Sequence, residues 1–127
     1  MIGHSELRIS CWTDASRVRS LRHALEEFLN VFDLDQEFVE DVLLASGEVL
    51  ANAVEHGAGE NGGTVELVAR GRGGMLAIDI RDGGRFIERA RVSGRGFGLG
   101  IVRRIARAVE IDSEDGTRVH MLFDAPK

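Results

Sequence analysis

The chain has 127 residues, of which 43% are hydrophobic and 29% charged. This balance predicts one globular domain over residues 1–127 rather than a disordered segment. The net charge of −5 argues against nucleic acid as a direct partner, and no apolar stretch is long enough for a membrane span. We expect a cytoplasmic protein, because the first residues also lack the pattern of a secretion signal.

Residues 7–12 alternate between apolar and polar side chains, which predicts a strand. Thr13 or Asp14 can cap the helix that follows. The apolar residues of this helix recur at helical spacing, which predicts an amphipathic helix. They are Val18, Leu21, Leu25, Phe28, Leu29 and Phe32.

A second helix is predicted over residues 35–56. A capping box opens it, in which Asp33 accepts a hydrogen bond from the backbone and Gln36 reaches back. Its buried stripe is expected to consist of Phe38, Val42, Ala45, Val49 and Ala53.

The second half of the chain predicts a sheet interrupted by one helix. The expected elements are strands at residues 64–70 and 75–81, a helix at 99–108, and strands near 109–112 and 117–123. The order of elements predicts an α+β fold, a two-layer α/β sandwich with helices on one face of a mixed, mostly antiparallel sheet.

The use of lysine excludes two common kinds of ATP site. The single lysine, Lys127, is the last residue of the sequence. A Walker-type loop places a lysine against the β- and γ-phosphates, and a eukaryotic-type protein kinase needs one on a strand. If this chain handles ATP, it does so in another way.

Glu48, Asn52 and Glu55 are spaced by four and three residues, so they share one face of the second helix. A carboxylate and an amide oxygen one turn apart suit Mg²⁺, which prefers oxygen ligands. A carboxylate beside a metal-bound phosphate can also act as a general base. The alternative is that these are ordinary exposed residues of a helix.

Asp82 ends a predicted strand and is followed by two glycines, Gly83 and Gly84. A partly buried carboxylate at this point can accept a hydrogen bond from an exocyclic amine such as adenine N6. The glycines would let the base approach the backbone. The alternative is a simple turn after a strand.

Glycines recur in residues 93–100, which read Ser-Gly-Arg-Gly-Phe-Gly-Leu-Gly and lead directly into a predicted helix. Glycines let backbone N–H groups face an anion, and the N-terminus of a helix adds partial positive charge. Arg95 could add a charge-assisted hydrogen bond. The alternative is a glycine-rich hinge.

The order of these motifs, together with Gly116-Thr117 before the last strand, resembles the four nucleotide-binding boxes of the GHKL family. That family includes gyrase, histidine kinases and MutL. The resemblance runs from about residue 40 to 123 and implies a Bergerat-type fold. The phrase at residues 47–57, GEVLANAVEHG, and the leading strand and helix most resemble the anti-sigma-factor serine kinases of the RsbW and SpoIIAB type.

The resemblance implies a role for each motif. Glu48 would be the catalytic base and Asn52 the ligand of Mg²⁺. Asp82 would bind adenine, with Gly84 beside it and Thr117 in support. The residues expected to hold the phosphates of ATP are Arg95, Gly96, Gly98, Leu99 and Gly100.

The function implied is an ATP-dependent serine/threonine protein kinase that is also an anti-sigma factor. Its partners would be a sigma factor and an antagonist of the STAS type, and it would form a homodimer through its sheet edge and first helix. One residue departs from the pattern, since Phe86 stands where the second box expects a glycine, in a short lid at about residues 85–95. Two alternatives therefore stay open: a nucleotide-binding regulatory module without kinase activity, and a stand-alone histidine-kinase ATPase domain.

Overall fold

The computed structural model describes residues 3–56, 63–83 and 98–125. The elements within these ranges are β1 (Ser5–Trp12), α1 (Ala15–Asn30), α2 (Gln36–His56), β2 (Thr64–Arg72), β3 (Met75–Asp82), α3 (Gly98–Ile105), β4 (Ala108–Asp112) and β5 (Thr117–Asp124). No helix among the described residues is both long and apolar enough to cross a membrane.

The five strands form one sheet in the order β1-β2-β3-β5-β4. Each of the four described pairings is antiparallel. The helices pack on one side of this sheet, with α2 between α1 and α3. The α+β, two-layer prediction is therefore confirmed.

Alternation along the strands decides which face of the sheet the helices cover. Leu67, Ile78 and Met121 represent the inner face, and each is fully buried. The opposite face carries charged pairs instead. Arg8 Nη1 lies 3.5 Å from Glu66 Oε2, for example, across the β1–β2 ladder. A sheet face that carries ion pairs can face water, so the described residues form two layers: the sheet and the helices on its other face.

Asp14 caps α1, and its Oδ1 accepts a hydrogen bond of 3.0 Å from the backbone N–H of Arg17. That hydrogen bond and a second from the Ser16 hydroxyl hold the pKa of Asp14 below its usual value. The predicted apolar stripe of α1 is confirmed. Val18, Leu21, Leu25 and Leu29 are buried and Phe28 is half-buried, while Phe32, also half-buried, lies beyond the end of α1 at Asn30.

The start of α2 differs from the predicted capping box. Asp35, rather than Asp33, caps this helix, because its Oδ1 accepts from the Glu37 N–H at 2.8 Å. The carbonyl of Asp35 also accepts the first helical hydrogen bond, from the Val39 N–H. The N-cap is the residue whose carbonyl accepts the first hydrogen bond of the helix, and Asp33 lies two residues before that position. The predicted buried stripe of α2 is confirmed.

The third helix is shorter than predicted, since α3 ends at Ile105 instead of residue 108. The Arg107 N–H donates to the carbonyl of Leu122 in β5 at 2.7 Å, and β4 begins at the next residue. Ala106 is buried although it lies beyond the helix. Pairing with β5 therefore ends the helix before its apolar pattern does.

Candidate functional site

The predicted site residues lie on elements that are neighbours in the fold. The helix α2 carries Glu48 and Asn52, packs along α3 and also contacts β3. Asp82 is the last residue of β3 and Thr117 the first residue of β5, and these two strands are paired. The first turn of α3 carries the last glycine of the loop, Gly100. The middle helix α2 thus contacts both α3 and β3, the elements that carry Gly100 and Asp82.

Glu48 and Asn52 lie at the boundary between the buried and exposed faces of α2. Both are half-buried, whereas Ala53 is fully buried and Leu44, on the outer side, is 46% exposed. Residues four apart are about 6 Å apart along a helix axis, close enough to contact one ligand together. Both residues therefore keep part of their surface accessible to a ligand.

Asp82 and Thr117 lie directly opposite each other in the β3–β5 ladder. Both belong to the inner face, with 8% and 2% of their surfaces exposed. Three polar or charged side chains are buried among the described residues, and these are two of them. A carboxylate and a hydroxyl seldom occupy an apolar core without a specific task. This pair is the strongest structural indication of a binding site at this end of the sheet.

The glycine loop is described only where it enters α3. Gly98 and Leu99 begin the helix, and Gly100 is exposed; a Cβ atom on it would meet none of the residues that the structure describes within 4 Å. The predicted residues Gly84, Arg95 and Gly96 lie outside the described residues, as do Phe86 and the lid. Their roles stay predictions from the resemblance.

Gly116 contributes a feature that the sequence did not predict. Its φ of 76° is in the left-handed region, and a Cβ atom there would overlap the backbone carbonyl oxygen of Asp82. The same atom would lie 3.1 Å from the Cα of Gly83. The Asp115-Gly116 turn signal marked the position, but no local pattern could show which backbone lies against it.

The donors present suit a cation that the protein shares with its ligand. Among the described residues, no group of three or more His, Cys, Asp or Glu could hold a metal ion. Mg²⁺ usually keeps several waters and binds through one or two protein oxygens together with substrate phosphates. The single amide oxygen of Asn52, half-buried beside a carboxylate, fits that mode of binding.

A five-stranded antiparallel sheet with helices packed on one side is a fold of the GHKL class. The family model of the histidine kinase-like ATPase domain matches residues 11–123. The chain therefore belongs to the histidine kinase-like ATPase domain family, which confirms the predicted GHKL membership. ATP binding follows from this membership.

The fold also matches a solved structure, that of the RsbU and RsbW domains of Rv1364c from Mycobacterium tuberculosis. The TM-score is 0.74 at 22% sequence identity, over 97% of this chain. The match spans 33% of that longer protein, so it shows the fold and not the activity of the whole. No curated protein sequence matches the chain significantly.

Proposed function

We propose that the chain is an ATP-dependent serine/threonine protein kinase and anti-sigma factor. It would hold a sigma factor inactive and release it when an unphosphorylated STAS-type antagonist binds instead. With ATP it would phosphorylate a serine or threonine of that antagonist. The observation that supports this most is the position of Glu48 and Asn52 at the edge of the buried face of α2, beside α3. The similarity to a structure that contains an RsbW domain supports the same assignment.

Glu48 acts as the general base in this proposal. Its carboxylate takes the proton from the serine or threonine hydroxyl of the antagonist, whose oxygen then bonds to the γ-phosphorus of ATP. The bond from that phosphorus to the β–γ bridging oxygen breaks, and ADP leaves. Asn52 would hold Mg²⁺, which would supply charge to neutralise the phosphates.

The other predicted residues orient the nucleotide. Asp82 accepts a hydrogen bond from the amine of adenine, and Thr117 supports it from the opposite strand. Backbone N–H groups at the start of α3, including that of Gly100, face the phosphates. These contacts fix the γ-phosphate in line with the hydroxyl, and such positioning supplies much of the rate of phosphoryl transfer.

The experiment measures nucleotide binding and phosphoryl transfer separately. We expect Glu48→Ala to bind ATP-Mg²⁺ normally in isothermal titration but to transfer labelled phosphate to a purified STAS-type antagonist at least about 100-fold more slowly. Asn52→Ala is expected to lose Mg²⁺-dependent binding. The matched control is Glu40→Ala, an exposed glutamate two turns earlier on α2. Full phosphorylation by Glu48→Ala would show that another group is the base.

The same assay distinguishes the alternatives. Tight ATP binding by the wild-type chain with no transfer to any antagonist would favour a regulatory module, the reading that Phe86 motivates in the sequence. Label on an acid-labile histidine of a separate chain would favour a histidine-kinase ATPase domain.

A homodimer is part of the proposal. β1 is at one end of the strand order, so one side of it has no strand partner among the described residues, and α1 follows it directly. An unpaired strand edge can pair with another chain. We expect sedimentation to show a dimer at micromolar concentration, and a monomer there would contradict this part.

A further inference from the structure

The turn between α1 and α2 carries bulky apolar side chains at the surface. Val31, directly after α1, is 78% exposed, the largest fraction for a bulky apolar residue among the described residues. The rings of Phe28 and Phe32 pack edge to face, with centroids 5.4 Å apart, and both are half-buried. Leu34 is also half-buried, and its N–H donates to the Phe32 carbonyl at 2.8 Å. We call these four residues the corner patch. A contiguous apolar group marks a contact surface, whereas scattered apolar residues do not.

The chain around the corner patch carries negative charge that the described residues do not compensate. No lysine or arginine occurs between Arg22 and Arg70. The patch is interspersed with and followed by four exposed acidic residues, Asp33, Asp35, Glu37 and Glu40. The carboxylates of Asp33, Glu37 and Glu40 form no ion pair with any residue that the structure describes.

The outer face of the sheet shows the contrast, because its acidic residues are paired. Glu6 Oε1 lies 2.8 Å from Arg70 Nε, for example. At the corner patch, exposed apolar surface and uncompensated negative charge occur together. Such a surface attracts a partner that combines apolar anchors with lysine or arginine. It repels nucleic acid and anionic lipid, because both carry phosphates.

The corner patch is far from the proposed nucleotide site. The N–H of Thr13, just before α1, donates to the carbonyl of Gly63, just before β2, at 3.0 Å. The start of α1 therefore lies at the end of the sheet where Val65 pairs with Asp82. The 16 residues of α1 extend about 24 Å from there to the corner patch. A ligand at the patch leaves the nucleotide site open, so the inference goes beyond the proposed function and does not depend on ATP binding.

We propose that the corner patch is a docking site for a basic amphipathic helix of a partner protein. Such a helix presents its apolar side chains along one stripe, with lysine or arginine at the borders. The stripe covers Val31 and the exposed parts of Phe28 and Phe32, and the cations pair with Asp33 and Glu37. Extended peptides bind instead by adding a strand to the edge of a sheet. Two helix ends form this corner, so a helix fits it better than a strand.

The probe is a labelled synthetic peptide of leucine and lysine, with the leucines at helical spacing, and its affinity is measured by fluorescence anisotropy at low salt. We expect the wild-type chain to bind it at least about tenfold more tightly than the same peptide with glutamate in place of lysine, because the carboxylates repel that peptide. A scrambled peptide of the same composition, which forms no apolar stripe, is also expected to bind at least about tenfold more weakly.

The apolar part of the patch is tested by Val31→Ser. This variant is expected to bind the lysine peptide about tenfold more weakly, because one valine is no longer buried on binding. Leu44→Ser is the matched control, since Leu44 is an exposed apolar residue of α2 outside the patch, and its affinity should equal that of the wild-type chain.

The charged part is tested by Asp33→Asn combined with Glu37→Gln. We expect about fivefold weaker binding at low salt and a smaller dependence on salt concentration. The control is Glu114→Gln combined with Asp115→Asn, which removes two exposed acidic residues from the turn between β4 and β5. It should leave the affinity unchanged.

Circular dichroism establishes that each variant is folded. The inference is overturned if the wild-type chain does not bind the lysine peptide, binds the glutamate or scrambled peptide equally well, or if the control variants lose as much affinity. Loss of a wild-type dimer in Val31→Ser, seen by sedimentation, would assign the patch to a second copy of the chain and also overturn it. Displacement of the peptide by ATP-Mg²⁺ would place it at the nucleotide site, with the same consequence. Absence of ATP binding would contradict the proposed function alone.

Discussion

Gly100 offers a substitution whose effects on stability and on ATP binding are expected to have opposite signs. The residue lies in the first turn of α3, it is exposed, and a Cβ atom there would meet no atom of the described residues within 4 Å. Glycine within a helix is less stable than alanine by about 0.5–1 kcal/mol, and packing against the described residues gives no reason for glycine at this position. A requirement for close approach of a ligand to the backbone does give one.

The size of each effect follows from the chain length. An unfolding entropy of roughly 2.1 cal/mol/K per residue gives about 0.27 kcal/mol/K for this chain, so Gly100→Ala should raise the melting temperature without nucleotide by about 2–4 °C. A tenfold loss of ATP affinity removes about 1.4 kcal/mol of ligand stabilisation, or about 5 °C. With saturating ATP-Mg²⁺ the variant should therefore melt below the wild-type chain.

Thermal melting with and without ATP-Mg²⁺ measures both effects on one sample. Gly74→Ala is the control, because a Cβ atom there also meets no described residue within 4 Å, while the position lies in the hairpin between β2 and β3. Its ATP-induced shift should equal that of the wild-type chain. An unchanged ATP shift in Gly100→Ala would refute the contact between this backbone and the phosphates, and a lower melting temperature without ATP would refute the steric reasoning.

Two further predictions concern the scaffold. Ser46 is fully buried, and its hydroxyl has no hydrogen-bond partner among the described residues, so Ser46→Ala should raise the unfolding free energy by about 1 kcal/mol. The exposed Ser20→Ala is its control in chemical denaturation, and a loss of stability in Ser46→Ala would show that the hydroxyl is satisfied. The hydrogen bond from Arg70 holds the pKa of Glu6 below its ordinary value of 4.5. The resulting stability is present above about pH 4.5 and is lost as the pH falls through the lower folded-state pKa. The melting difference between wild type and Glu6→Gln should thus shrink as the pH falls below 4.5, and a constant difference would contradict the pairing.

Periodicity allowed most of the fold to be predicted, because it is a local property. The buried stripe of α2 from Phe38 to Ala53 follows from helical spacing, and the helix at residues 99–108 was correctly placed at its start. The predicted bounds of an element are wrong where a residue distant in the sequence forms a competing hydrogen bond. Arg107 pairs with Leu122 across the sheet, and that hydrogen bond ends α3 earlier than the apolar pattern suggests.

The motifs of the candidate site could also be predicted from the sequence, since Glu48 and Asn52 are one turn apart in any helix. Only the tertiary structure decided that Asp82 lies opposite Thr117 and that both are buried, because strand register is set by pairing over 35 residues. The contact between Gly116 and the carbonyl of Asp82 was likewise decided by the tertiary structure alone. Sequence spacing determines which groups share an element, and the packing of elements determines which groups meet.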